Sequence, residues 1–275
     1  MSVRYISGSG ITGTTVARRL RNGDLFTQVR TRRLANGFKV SYRNDYELEV
    51  IYDDIFAKNV YFFKTENPEP RIIDCGGHIG LAVLYFKSLY PRARIVTFEP
   101  NPETFFLLRE NIVQNDLSGV RAINMAVSRE DTEDTILYVG KDFPEAWDST
   151  NTIKPDLWPN MDQYRSIYIR STRLSSYISN QVEFIKLDIE GAEYDVLNEL
   201  KTKLDVVGAI TLEYHQNAGN LSERKLERII EILSGSGFRY ELLYEAKPAR
   251  LDSLPRDSVY QLIIRALRSR DTNGR

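Results

Sequence analysis

Asp74 closes the short β-branched run Arg71-Ile72-Ile73-Asp74 and opens Asp74-Cys75-Gly76-Gly77-His78-Ile79-Gly80, with an apolar helical stretch, Leu81 to Phe86, directly after it. Strand, glycine turn and helix in that order present backbone N–H groups and a strand-end carboxylate to a nucleotide-like ligand. Nineteen positions past Gly80, the apolar run Ile95 to Phe98 ends on Glu99-Pro100-Asn101. An acid at about that spacing is placed to accept hydrogen bonds from both hydroxyls of a ribose. The pattern is D-x-G-x-x-x-G, whereas a dinucleotide fold uses G-x-G-x-x-G. A fixed carboxylate at Asp74 is awkward for an anionic pyrophosphate and suits a ligand carrying a sulfonium and an α-amino group. S-Adenosylmethionine is therefore favoured over NAD, and either over a ligand-free turn.

A second centre lies in Glu183-Phe184-Ile185-Lys186-Leu187-Asp188-Ile189-Glu190-Gly191. Lys186 and Asp188 are two apart and project from one face of a strand, and Glu190 continues that face if the strand persists. The run Val206 to His215 ends in the same way, on Glu213 and His215. Charges on strands this apolar cost free energy unless they are paired or functional. Two neighbouring parallel strands thus deliver Lys186, Asp188, Glu190, Glu213 and His215 to the carboxyl edge of a sheet, where open α/β folds bind ligands.

The elements that must position these groups alternate strand and helix from residue 71 onward, which predicts a doubly wound, mostly parallel sheet. Pro102 to Asn115 reads as an amphipathic helix opening on a proline. A third strand, Val120 to Ile123, runs into Asn124-Met125-Ala126-Val127, placed to border an adenine. Residues 129–170 interrupt the alternation with two strand-like pieces, expected to pair at the sheet's edge. Between them lies a long segment carrying Trp147, Trp158, Pro144, Pro155 and Pro159, read as a substrate-covering insertion. A helix over Glu223–Leu233 and two further strands with no helix between them predict an antiparallel finish, followed by a disordered tail.

The 275 residues allow one large domain or two small ones. A net charge of −1 gives no general drive toward nucleic acid, and the single Cys75 excludes a disulfide framework. The absence of a membrane-length apolar run and of a secretory leader predicts a cytoplasmic protein. Residues 1–65 read as a basic N-terminal extension with a helical lid over 45–63, and residues 66–275 as the cofactor-binding domain. Arg4, Arg18, Arg19, Arg21, Arg30, Arg32, Arg33 and Lys39 face only Asp24 before residue 41. A solvated face is the default reading, with an acidic partner or anionic substrate as the alternative. Gly8, Gly10 and Gly13 also match G-x-G-x-x-G, but too few residues separate them from the next unit to complete a sheet. They are read as a decoy.

DCGGHIG, FEPNP, NMAVS, KLDIEGAE and LEYH, in this order, resemble the FkbM family of class I S-adenosylmethionine-dependent methyltransferases, over about residues 45–267. The resemblance implies a seven-stranded, Rossmann-like sheet with an antiparallel last strand. It places Asp74, Gly76, Gly77, His78 and Gly80 at the methionine end of the cofactor, Glu99 with Pro100 and Asn101 at the ribose, and Asn124, Met125, Ala126 and Val127 at the adenine. His78 stands where relatives often carry Asn. The acceptor in such families is commonly a hydroxyl of a small molecule, sugar, glycolipid or polyketide, so the polar cluster needs a way to activate it. His215 or Glu213 as direct base is one reading, and it is preferred. A divalent cation such as magnesium on Asp188, Glu213 and His215 is another, by fold-level analogy with catechol-type methyltransferases. A satisfied network pairing Lys186 with Asp188 and Glu213 is the third. A homodimer is compatible with the sequence. The rival functions are an NAD(P)-binding oxidoreductase and a non-catalytic methyltransferase-like binding module.

Overall fold

The computed structural model describes residues 29–140, 150–155, 157, 161–216, 224–255 and 260–269. The glycine motif of Gly8 to Gly13, the four arginines before residue 22, both tryptophans and the tail beyond Ser269 lie outside them.

The chain opens with an antiparallel hairpin of β1 (Arg30–Arg33) and β2 (Lys39–Tyr42). Helix α1 (Asp45–Tyr52) follows, its N-terminus capped by the Asn44 side chain, which accepts the N–H groups of Tyr46 and Glu47. The helix widens into a π-helical turn, Asp53–Ala57, and the chain then crosses to the sheet without regular structure. β3 (Arg71–Cys75), α2 (Leu81–Leu89), β4 (Arg94–Phe98), α3 (Pro102–Gln114) and β5 (Val120–Ile123) form the first βαβαβ half. α3 begins where a proline was expected to start it, with Asn101 as its cap. β6 (Ala126–Ser128), β7 (Thr132–Gly140) and β8 (Tyr164–Arg173) come next, then β9 (Val182–Leu187), α4 (Glu193–Glu199), β10 (Val207–Gln216), α5 (Lys225–Gly235), β11 (Phe238–Tyr244), β12 (Lys247–Ala249) and β13 (Tyr260–Arg268).

The main sheet has the order β12-β11-β13-β10-β9-β3-β4-β5. Its centre is parallel, and β13 is antiparallel to both β10 and β11, as expected of the finish. Eight strands stand where seven were expected. The extra one is the three-residue edge strand β12, joined to β11 by a tight turn at Glu245 and Ala246, both at positive φ. β7 and β8 do pair, but not on the edge of this sheet. With β6 they make a separate three-stranded sheet, because β6 runs parallel to β8 and draws the pair away.

Residues 29–63 pack into the main core. Val40, Tyr42, Leu48, Tyr61 and Phe63 share one buried cluster with Ile72, Phe86 and Leu107. Several basic side chains there are paired: Arg30 and Arg32 with Asp45, Arg32 also with Glu49 at 3.3 Å, and Arg43 with Glu103 at 3.1 Å. Among the described residues no helix is long and apolar enough to cross a membrane.

Candidate active site

Sheet register sets one polar row across four strands. Thr97 of β4 stands beside Asp74 of β3, Asp74 beside Lys186 of β9, and Lys186 beside Thr211 of β10. All four are buried. Asp74 Oδ2 accepts a hydrogen bond from the Thr97 hydroxyl at 2.8 Å, and Oδ1 lies 3.5 Å from Lys186 Nζ. Lys186 also donates to Gly76 O at 2.7 Å and pairs with Asp188 Oδ2 at 3.1 Å. Burial disfavours the ammonium, but Asp188 and Asp74 outweigh it and raise the Lys186 pKa. Burial likewise works against an ionised Asp188, and Lys186 more than compensates, so the carboxyl is held below its ordinary range. At Asp74 burial wins and raises the pKa.

Two expectations change here. Lys186 is a buried counter-ion to Asp188, as the third reading had it, but its second partner is Asp74 and not Glu213, and it does not line the cleft. Asp74, fully buried, does not line it either. The glycine turn packs against Asp74, whose Oδ2 lies 3.5 Å from where a Gly77 Cβ would stand.

The turn itself is pulled onto β4. Gly76 and Gly77 donate their N–H groups to Phe98 O at 3.0 and 2.7 Å, and His78 N–H donates to Glu99 Oε2 at 2.9 Å. Asn101 N–H occupies Glu99 Oε1 at 2.9 Å. With these donors engaged, the turn is no cradle for a pyrophosphate. Gly76 has φ +84°, and a Cβ there would stand 1.8 Å from Asp188 O. Gly77 and Gly80 give room to Thr97 and Leu108, and they pack rather than line the cleft. Asn101 caps α3, and the Asn124 amide donates to Glu99 O at 2.8 Å and Pro100 O at 2.9 Å, so both hold the loop that carries Glu99.

The cleft beside this turn spans about 600 Å³, its open mouth included. One wall carries Gly76, His78, Glu99 and Pro100, another Met125, Ala126, Val127 and Leu137, and the floor Asp188, Ile189 and Glu190. Asn151 and Ile153 of the insertion line it too, whereas Glu213 and His215 do not and meet it through Glu190.

β9 ends at Leu187, so Glu190 is not placed by strand alternation. A turn with Glu190 at φ +52° and Gly191 at φ +93° brings it back toward β10. Glu193 holds that turn by accepting the N–H groups of Ile189 and Gly191 at 3.1 and 3.0 Å, while the Thr152 hydroxyl donates to Glu190 O at 2.6 Å. His215 Nε2 lies 3.5 Å from Glu190 Oε2 and 3.9 Å from Glu213 Oε1. Burial, with neighbouring Asp188 charge, pushes the Glu190 and Glu213 carboxyl groups well above the usual range. Burial pulls the His215 imidazole down, only partly offset by Asp188. Burial thus favours the neutral imidazole and the protonated forms of Glu190 and Glu213, while Lys186 favours the ionised form of Asp188.

The metal reading does not fit these donors. Among the described residues no group of three His, Cys, Asp or Glu side chains is arranged to hold an ion. Asp188 is engaged by Lys186 and by the Tyr61 hydroxyl, which stands between Asp188 and Glu213. Tyr61 and Glu193 are the site residues that the strand-end pattern did not single out. Tyr61 sits in an aromatic run that reads as core, whereas Glu193 was visible as the second acid of the EGAE signature.

Numbered along the chain from β3 and leaving out the edge strand β12, the main sheet runs 3-2-1-4-5-7-6, with the cleft at the carboxyl ends of its parallel strands. Fold and cleft define a class I methyltransferase, the class whose methyl donor is S-adenosylmethionine. The chain belongs to the FkbM family of methyltransferases, since residues 74–240 match the methyltransferase FkbM domain. It is 29% identical over 207 residues to Methyltransferase 1 of Beauveria bassiana, covering 70% of this chain and 81% of that protein. It is 27% identical over 180 residues to the 2-O-methyltransferase NoeI of Sinorhizobium fredii, covering 61% and 72%. Over 104 residues it is 34% identical to the 31-O-demethyl-FK506 methyltransferase FkbM of Streptomyces tacrolimicus, covering 37% and 40%.

Proposed function

We propose that this chain is an O-methyltransferase that moves a methyl group from S-adenosylmethionine to a hydroxyl of a small molecule, of a sugar or glycolipid, or of a polyketide-type product. The observation that carries the reading is the neutral, buried His215, 3.5 Å from the cleft-lining Glu190. Two relatives named as O-methyltransferases support the choice of oxygen.

The cleft fits the donor. Glu99 lines the cleft, and the backbone N–H groups of His78 and Asn101, one on each carboxylate oxygen, hold it there to face a ribose. Met125, Ala126 and Val127 offer an apolar seat for the adenine, and Gly76 and His78 border the methionine end. The bound cofactor supplies an electrophilic methyl on a sulfonium, so alignment of the acceptor oxygen does most of the catalytic work.

His215 takes the acceptor's proton at Nε2. Glu190 Oε2 has no hydrogen-bond partner among the described residues and is placed to orient the acceptor hydroxyl. Asp188 steadies the imidazolium that forms, with Lys186 fixing its position. The insertion closes over the acceptor through Asn151 and Ile153.

Calorimetric titration with S-adenosylmethionine, S-adenosylhomocysteine, NADH and NADPH tests the reading. Selective binding of the first two is expected. Binding of a nicotinamide cofactor alone would overturn it, and binding of none would leave a non-catalytic module.

A further inference from the structure

Tyr61 lies upstream of the matched residues 74–240, in a turn after the π-helical segment. Its hydroxyl is 3.1 Å from Asp188 Oδ2 and 3.3 Å from Glu213 Oε2, and its ring lies 5.2 Å from Lys186 Nζ. The residue is 4% exposed. Its turn is anchored from several sides. Arg265 of β13 donates to Val60 O and Asn59 O, each at 3.2 Å, and Tyr85 of α2 donates to Asn59 Oδ1 at 2.9 Å. Phe63 stacks on Phe184 of β9 at 4.5 Å, and Tyr90 donates to Phe63 O at 2.8 Å.

We propose that Tyr61 is a positioning residue of the methyl-transfer site, its hydroxyl bridging Asp188 and Glu213 and thereby fixing the charge that His215 faces. The proposal rests on the reading of His215 as the base. One phenol proton satisfies two carboxyl groups only when one of them carries its own proton. The ion pair with Lys186 favours the charge on Asp188, and burial favours the proton on Glu213. Among the described residues, Asp188 and Glu190 from the end of β9 and Glu213 from its own strand face His215, with Lys186 behind Asp188. A donated hydrogen bond disperses the Asp188 charge. Removing it leaves that charge more strongly felt at the imidazole.

The sequence contains two histidines, so imidazole resonances in an NMR pH titration read His78 and His215 separately, with H78N giving the assignment. In Y61F the His215 midpoint is expected to rise by about half a pH unit, with His78 unmoved and S-adenosylmethionine affinity within about twofold of wild type. A folded Y61F with both midpoints unchanged would reduce Tyr61 to packing and overturn the proposal. If Y61F does not fold, E213Q decides. An unchanged His215 midpoint supports a neutral Glu213 in the bridge, and a fall of about half a unit or more would show Glu213 charged and overturn it. These readouts need no acceptor. Loss of cofactor binding in the wild type would strike the proposed function while leaving the titration result to stand by itself.

Discussion

Asp74 and Lys186 stand side by side in register on β3 and β9, carboxylate oxygen 3.5 Å from ammonium, and neither lines the cleft. The pair joins the two halves of the doubly wound sheet at its central seam. Lys186→Met leaves Asp74 and Asp188 without their buried counter-charge, and should cost about 3–5 kcal/mol of stability. Asp74→Asn keeps the Thr97 contact and should cost less. Urea denaturation of the two variants checks the order.

Gly76 is fixed twice, by its backbone angle and by Asp188 O. Gly76→Ala should destabilise by more than ~2 kcal/mol, because strain and collision add. Gly37 provides the control: it has φ +91° but nothing within 4 Å, so Gly37→Ala should cost only ~1 kcal/mol. Equal thermal shifts for the two would refute the collision.

Glu193 gives the fold a pH dependence. Burial pushes its carboxyl up from an ordinary 4.5 to about 7, although backbone N–H groups oppose the shift. Below 4.5 folded and unfolded chains both hold the proton. Between 4.5 and 7 the unfolded chain releases it first, so stability falls as pH rises and levels off above about 7. Glu193→Gln still accepts the two backbone N–H groups and should flatten this part of the curve, with a difference of up to ~3 kcal/mol. Melting temperatures across pH 4–8 read it directly.

Glu99 carries the proposed ribose contact. Glu99→Ala should weaken S-adenosylmethionine binding by ~1.5–3 kcal/mol, the worth of one or two hydrogen bonds to a charged group. Unchanged calorimetric affinity would remove Glu99 from the ribose.

His215 acts as base only when neutral. Its lowered pKa puts the acid limb of the rate profile below the ordinary imidazole value, with turnover falling as pH drops through that point. His215→Asn should slow turnover ~10²–10⁴-fold with little change in cofactor affinity. A rate profile whose acid limb is the same in this variant would assign the titration to another group.

The sequence carried the sheet well because its signals were local. Alternating Lys186, Asp188, Glu213 and His215 marked two strand ends, and Pro102 after Asn101 marked a helix start. The edge strand β12 escaped because its turn uses Glu245 and Ala246, where a tight hairpin usually shows Asn or Gly. Asp74 was read as a ligand contact, since strand register with Lys186 and Thr97 is a property of the sheet and not of any one strand. Tyr61 had no signal at all: its role depends on partners more than a hundred residues away.

The bonds from Arg265 to the backbone of Asn59 and Val60 span more than two hundred residues. β13 enters the sheet between β10 and β11, so those bonds tie the Tyr61 turn to an interior strand. Loop-closure entropy makes such distant contacts slow to form. The turn that brings Tyr61 to Asp188 and Glu213 is held by the last strand of the sheet, and loosening that strand would reach both carboxyl groups through one phenol.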